Sequence, residues 1–155
     1  RLETNGETLV KIISYCLMPN HFHLLLQQIT SEGISKFLSV LQNSYTRFFT
    51  TKHNRPGHLF QGQFKAVRIE EDDQLLHVSR YIHLNPYTAF VVKSLEELEN
   101  YNYSSLPDYL GKTKGFCQKN DVLSHFSNVS GYREFIFNQA EYQRILDLIK
   151  HLTLD

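Results

Sequence analysis

Apolar and β-branched residues run from Leu9 to Tyr15 and again from Phe22 to Gln28, and Met18-Pro19-Asn20 between them has the composition of a turn. Two short runs bounded by turn residues predict a pair of strands, joined as a hairpin. In the second run Phe22, Leu24 and Leu26 alternate with His21, His23 and Leu25. One face is therefore expected to be apolar and the other to display both histidines. The period then lengthens. After Ser31, read as the N-cap, Ile34, Phe37, Leu38, Leu41, Tyr45, Phe48 and Phe49 recur at the three-and-four spacing of one helix face. This predicts a helix over 31–54 with these residues, Phe48 and Phe49 included, in the core. Pro56-Gly57 ends it, because the residue before a proline is pushed out of the helical region.

Gln63 to Ile69 reads as a further strand. Glu70-Glu71-Asp72-Asp73 places carboxylates where a helix N-terminus favours them, and Leu75, Leu76, Val78, Ser79 and Ile82 continue a helical pattern towards Asn85-Pro86. A second helix over 72–84 follows. Leu95 to Glu99 suits a helical turn, and Tyr101 to Leu110 a Tyr- and Ser-rich connection. Past a polar stretch at 112–120, three helical patterns cover Asp121–Phe126, Tyr132–Phe137 and Ala140–Leu152. The expected organisation is a core over 1–115 and a helical C-terminal extension over 116–155.

A chain of 155 residues with 41% hydrophobic and 21% charged positions can bury a core and leaves no room for two large domains. Its charge is deceptive. Sixteen Lys and Arg cancel sixteen Asp and Glu overall, yet residues 33–69 hold Lys36, Arg47, Lys52, Arg55, Lys65 and Arg68 without one carboxylate. A plus-six segment suits a phosphate backbone if its charges share a face. Cys16 and Cys117 are too few for a disulfide framework or a cysteine zinc cluster and are expected to be reduced thiols. No apolar run reaches the eighteen residues of a membrane span, and no signal-peptide pattern opens the chain, so a soluble cytoplasmic protein is expected.

Two constellations carry chemistry. His21 and His23, at i and i+2 of a strand, point to one side and can converge on a metal ion; two partly exposed histidines with no ligand role are the plainer reading. Tyr81 and Asn85, at i and i+4 of a helix, project a phenol and a carboxamide together, with His77 one turn earlier. A phenol of ordinary pKa near 10 is a poor nucleophile unless a cation or base favours the phenolate. Taken singly, each of these two residues is more easily read as a helix-edge or helix-end residue.

The string Tyr15-Cys16-Leu17-Met18-Pro19-Asn20-His21-Phe22-His23-Leu24-Leu25-Leu26 resembles the HUH signature (His, hydrophobic, His) of single-tyrosine transposases, in the form found in REP-associated tyrosine transposases and their relatives. Gly57-His58-Leu59-Phe60-Gln61-Gly62-Gln63-Phe64, Tyr81-Ile82-His83-Leu84-Asn85-Pro86 and Tyr103-Ser104-Ser105 follow in the family's order, so the resemblance covers residues 8–110.

The resemblance implies an α+β fold, a ferredoxin-like antiparallel sheet with helices. It also implies that a strand and a helix ahead of the HUH strand are missing here, leaving the sheet incomplete. It further implies cleavage and rejoining of single-stranded, hairpin-associated DNA through a 5′-phosphotyrosine intermediate, in a bacterial, nucleoid-associated setting. Tyr81 would be the nucleophile, His21, His23 and Asn85 the ligands of Mg2+ or Mn2+. Arg47, Lys52, Arg55, Lys65 and Arg68 would then follow the DNA backbone, and Gln61 and Gln63 have amide groups able to read base edges. Phe60 stays open between core packing and base stacking. Two other classes remain in play: a transposase-derived regulator that binds hairpin DNA without cutting, and a metal-dependent phosphodiesterase that activates water. Monomer and homodimer are both open.

Overall fold

In a computed structural model, residues 3–4 and 6–145 are described. The chain divides into two compact units, residues 1–11 with 26–68 and residues 12–25 with 69–155. The architecture is α+β, with antiparallel strands and helices, as the sequence led us to expect.

The first unit opens with β1 (Glu3–Thr4) and β2 (Glu7–Thr8), paired antiparallel with Glu3 opposite Thr8. The hairpin predicted next is formed by β3 (Val10–Leu17) and β4 (Phe22–Gln28); its base belongs to this unit and its tip to the other. Leu9 is buried, and its carbonyl accepts the Ile29 amide at 3.0 Å. A Cβ on Gly33 would stand 2.3 Å from that same oxygen, so only glycine lets the chain pass there.

Helix α1 (Gly33–His53) starts at this crossing and not at a Ser31 cap: its N-cap is Glu32, left-handed at φ 58°, with no side-chain cap. Its C-terminus is closed by Asn54, also left-handed, whose amide bonds to the Thr50 carbonyl, with Lys52 and His53 in the last turn. The apolar stripe is buried only in its first half, at Phe37 and Leu38. Contrary to expectation Phe48 is 59% exposed and Tyr45 48%, because beyond Leu41 the rings pack on one another and on Phe60 and enter no core. The strand expected over Gln63–Ile69 does not form. Among the described residues the segment is part of no named strand, and residues 63–68 are exposed.

In the second unit the tip of the hairpin gains a third, short partner. Leu17 N–H donates to the Tyr103 carbonyl at 2.7 Å and Ser105 N–H to the Tyr15 carbonyl at 3.0 Å, with Cys16 bridging Ser104. Helix α2 (Asp72–Thr88) begins where its acidic first turn predicts but runs four residues further, through Pro86. Proline removes one helical bond. The last turn persists because Tyr87 is buried, the Thr88 hydroxyl donates to the Asn85 carbonyl, and the Pro86 carbonyl takes the Val91 and Val92 amides.

Short helices α3 (Leu95–Glu99), α4 (Leu106–Tyr109) and α5 (Asn120–Leu123) follow, then α6 (Val129–Phe137) and helical residues 140–145. The remainder of the helix expected to reach Leu152 lies outside the described residues. Ile13, Cys16 and Leu25 of the hairpin share one core with Ile82 and Leu84 of α2, Leu106 and Tyr109 of α4, Val122, Tyr132 and Ile136. Each fully buried large side chain contributes about 1.5–3 kcal/mol. Helices α5 and α6 thus pack on the tyrosine-bearing helix. Glu99 adds to this, bonding both Lys112 at 2.7 Å and Arg133 of α6 at 2.6 Å. Among the described residues no helix is long and apolar enough to cross a membrane, and Cys16 and Cys117 are free thiols.

Candidate active site

The histidines lie on the same strand face as Leu25, which is buried in the core of the second unit, while Phe22, Leu24 and Leu26 are half-buried on the other. The expected assignment of an apolar face opposite the histidines is therefore corrected. The face carrying them is the one that also reaches the core, which explains why they meet α2. His21 and His23 stand edge to face with ring centroids 4.9 Å apart, and His23 meets Tyr81 edge to face at 5.5 Å. Residues separated by some sixty positions thus come together, and Tyr81, half exposed, is open to solvent.

The two imidazoles are prepared differently. His21 Nδ1–H donates to Asn20 Oδ1 at 2.7 Å, which fixes the ring and leaves Nε2 outside that bond. His23 is half-buried, and its Nε2 is buried without a hydrogen-bond partner in the described structure. Burial, aided by His21, holds the His23 imidazole below the ordinary histidine range, so it stays neutral and able to ligate. An unpartnered buried nitrogen normally costs about 1–3 kcal/mol, and a cation relieves that cost.

Asn85 is buried, and its Nδ2 donates to the Tyr81 carbonyl at 3.3 Å, so the acceptor end of the carboxamide remains for a cation. Imidazole nitrogens and an amide oxygen are donors that can hold a divalent cation. Among the described residues no three His, Cys, Asp or Glu side chains group as a metal site; a set completed by an asparagine falls outside that class. His77, expected on the tyrosine's side of the helix, instead bonds Arg80 at 2.7 Å.

Sequence reasoning missed the support beneath the site. His83, two residues from both Tyr81 and Asn85, is fully buried; its Nδ1 lies 2.7 Å from the Tyr132 hydroxyl and its Nε2 2.7 Å from Ser105 Oγ. Ser79 Oγ bonds the same tyrosine at 2.7 Å, and Ser105 also exchanges bonds with the Tyr15 backbone. One assignment satisfies every group: Ser79 donates to Tyr132, Tyr132 to His83 Nδ1, His83 Nε2–H to Ser105, and Ser105 to the Tyr15 carbonyl. The network pins α2 to β3, the strand paired with the histidine-bearing β4, on one side and to α6 on the other. Burial pushes the His83 pKa down to about 3, so it is neutral there. The available signal was a histidine flanked by apolar Ile82 and Leu84; its partners, 22 and 49 residues away, gave none.

The predicted DNA-contacting residues Arg47, Lys52, Arg55, Gln61, Lys65 and Arg68 all belong to the first unit, and all are exposed. Compared with family models, the chain matches the one described as "Transposase IS200 like" over residues 3–85. No curated protein and no solved structure matches it. The matched range exceeds half of the 155 residues and contains His21, His23, Tyr81 and Asn85. The chain therefore belongs to the IS200-like transposase family, enzymes that act on DNA.

Proposed function

We propose that the protein cleaves and rejoins single-stranded, hairpin-associated DNA with Tyr81 as the nucleophile. The observation that carries this reading is the packing of Tyr81 against His23, whose Nε2 is buried and unpartnered. The family is in general metal-dependent. His21, His23 and Asn85 would hold the ion, and Mg2+ or Mn2+ bound there supplies positive charge that polarises the phosphoryl group.

The chain's own residues do the rest. Asn20 holds His21 in register, and burial keeps His23 neutral. The bond from Asn85 Nδ2 to the Tyr81 backbone carbonyl fixes the Asn85 carboxamide on the turn of α2 that carries Tyr81. The Tyr81 oxygen attacks phosphorus and its proton passes to solvent; the bond from phosphorus to the 3′ oxygen breaks, and that oxygen takes up a proton. A 5′-phosphotyrosine and a free 3′-hydroxyl result. One phosphoester bond is exchanged for another, so the 3′-hydroxyl can reverse the step without an external energy source. Arg47, Lys52, Arg55, Lys65 and Arg68 contact phosphates and Gln61 reads base edges in this account. Residues 1–115 form the cleaving part and 116–155 an extension, of which α5 and α6 brace the tyrosine helix.

Incubation with labelled single-stranded hairpin DNA and Mn2+, followed by a denaturing gel, tests the reading. A protein–DNA adduct lost in Tyr81→Phe supports it. Binding with no cut identifies a regulator, and cleavage that survives Tyr81→Phe identifies a water-using phosphodiesterase; either overturns it.

A further inference from the structure

The C-terminal half of α1 displays aromatic rings to solvent where a helix of a folded unit would normally bury them. Tyr45 and Phe48 are adjacent on the helix surface at i and i+3, exposed at 48% and 59%, with centroids 6.4 Å apart. They are held in place from behind. Tyr45 packs on Phe49 and Phe60, each at 6.1 Å, and Phe49 stacks on His53 at 4.3 Å. Cations surround them: Lys52 Nζ lies 5.6 Å above the Phe48 ring, and a shallow hollow beside that ring is lined by Ser44, Arg47, Thr51 and Lys52.

We propose that this face, Tyr45 and Phe48 with Arg47 and Lys52, is a stacking surface for the unpaired bases of single-stranded DNA. The proposal rests on the reading of the protein as one that acts on such DNA. Charge selects the occupant. Between residues 33 and 69 there are six basic residues and no acidic one, so a second copy of this face meets like charge. The core of a protein-binding patch is ordinarily depleted of lysine. Duplex DNA satisfies the cations but hides the faces of its bases. A single strand offers both phosphates and open π-faces, the combination that aromatic and basic side chains recognise together. Ser44 and Thr51 add hydroxyl donors for phosphate oxygens.

The test is fluorescence anisotropy of labelled oligothymidine and of a duplex of equal length, titrated with the full chain. Phe48→Ala and Tyr45→Ala should each weaken oligothymidine binding about 5- to 150-fold while leaving the salt dependence of binding unchanged. Duplex affinity should not move, and Phe48→Trp should restore binding. Lys52→Ala should instead lower the salt slope by about one contact on both DNAs. Both aromatic residues are exposed, and circular dichroism melting confirms that the variants fold. A bromodeoxyuridine oligonucleotide should crosslink to the peptide containing residues 45–52.

Unchanged oligothymidine affinity in both alanine variants overturns the proposal, as do equal losses on duplex. So does a Phe48→Ala effect seen only in self-association by sedimentation. If the wild type forms its tyrosine adduct while both alanine variants bind normally, the stacking surface fails and the cleavage reading stands. If the aromatic variants lose single-strand binding but no adduct ever forms, the surface stands and the cleavage reading fails.

Discussion

The His23 and Tyr81 rings stand edge to face, 5.5 Å between centroids, with His23 on the second strand of the hairpin and Tyr81 on α2. A candidate ligand and a candidate nucleophile therefore share one small volume, and the ligand nitrogen is buried without a partner. His23→Ala should reduce Mn2+ affinity in calorimetry at least tenfold and abolish the DNA adduct, while single-strand binding persists. Unaltered Mn2+ affinity excludes His23 as a ligand.

Asn20 tests the same centre one shell out. Its Oδ1 accepts from His21 Nδ1 at 2.7 Å and so selects the ring orientation. Losing such an outer partner costs about 10–100-fold in metal affinity. Asn20→Ala should show that loss by calorimetry and Asn20→Asp, which keeps an acceptor, should recover most of it. Equal affinities in all three proteins would remove Asn20 from the site.

Tyr132 is predicted to be a structural keystone. Replacing it with Phe keeps the ring but strips the donor from His83 Nδ1 and the acceptor from Ser79, leaving buried polar atoms unpaired. The expected cost is about 1–3 kcal/mol, or a few to ten degrees in Tm at this chain length. A Tm within one degree of wild type, on the order of 0.3 kcal/mol or less, would contradict the network.

Acid should weaken the fold through His83. Its pKa falls from about 6.5 in the unfolded chain to about 3 when buried neutral. Above pH 6.5 neither state is protonated and the group adds no pH dependence. As pH falls below 6.5 the unfolded chain takes the proton first, so stability declines towards pH 3 by up to about 1.4 kcal/mol per unit. In NMR titration the His83 ring should keep its neutral-form shifts at pH 5. A His83 midpoint near 6 would refute the buried assignment.

Local pattern and motif made much of this legible. The spacing of apolar residues located α1 and α2 to within a few residues, and the His-Phe-His and Tyr-Ile-His-Leu-Asn-Pro strings contain His23 and Tyr81, whose rings the fold brings together. What depended on distant partners was hidden. Gln63–Ile69 has strand-like residues, but strand formation is decided by a neighbour. Phe48 continues the apolar period of α1, but burial is decided by what covers the helix. The face shared by His21, His23 and Leu25 reaches the core because α2 packs there, and nothing within β4 itself says so. The Ser79, Tyr132, His83 and Ser105 chain joins residues as far as 53 positions apart.

The most direct measurement is mass spectrometry of the trapped adduct after protease and nuclease digestion. Cleavage after Arg80 and Lys93 releases one peptide holding two tyrosines: Tyr81, half exposed beside His23, and Tyr87, buried and donating to Glu141. The account predicts a 5′-linked nucleotide on Tyr81 alone. A nucleotide on Tyr87 or on any other residue, or cleaved DNA with unmodified Tyr81, contradicts it.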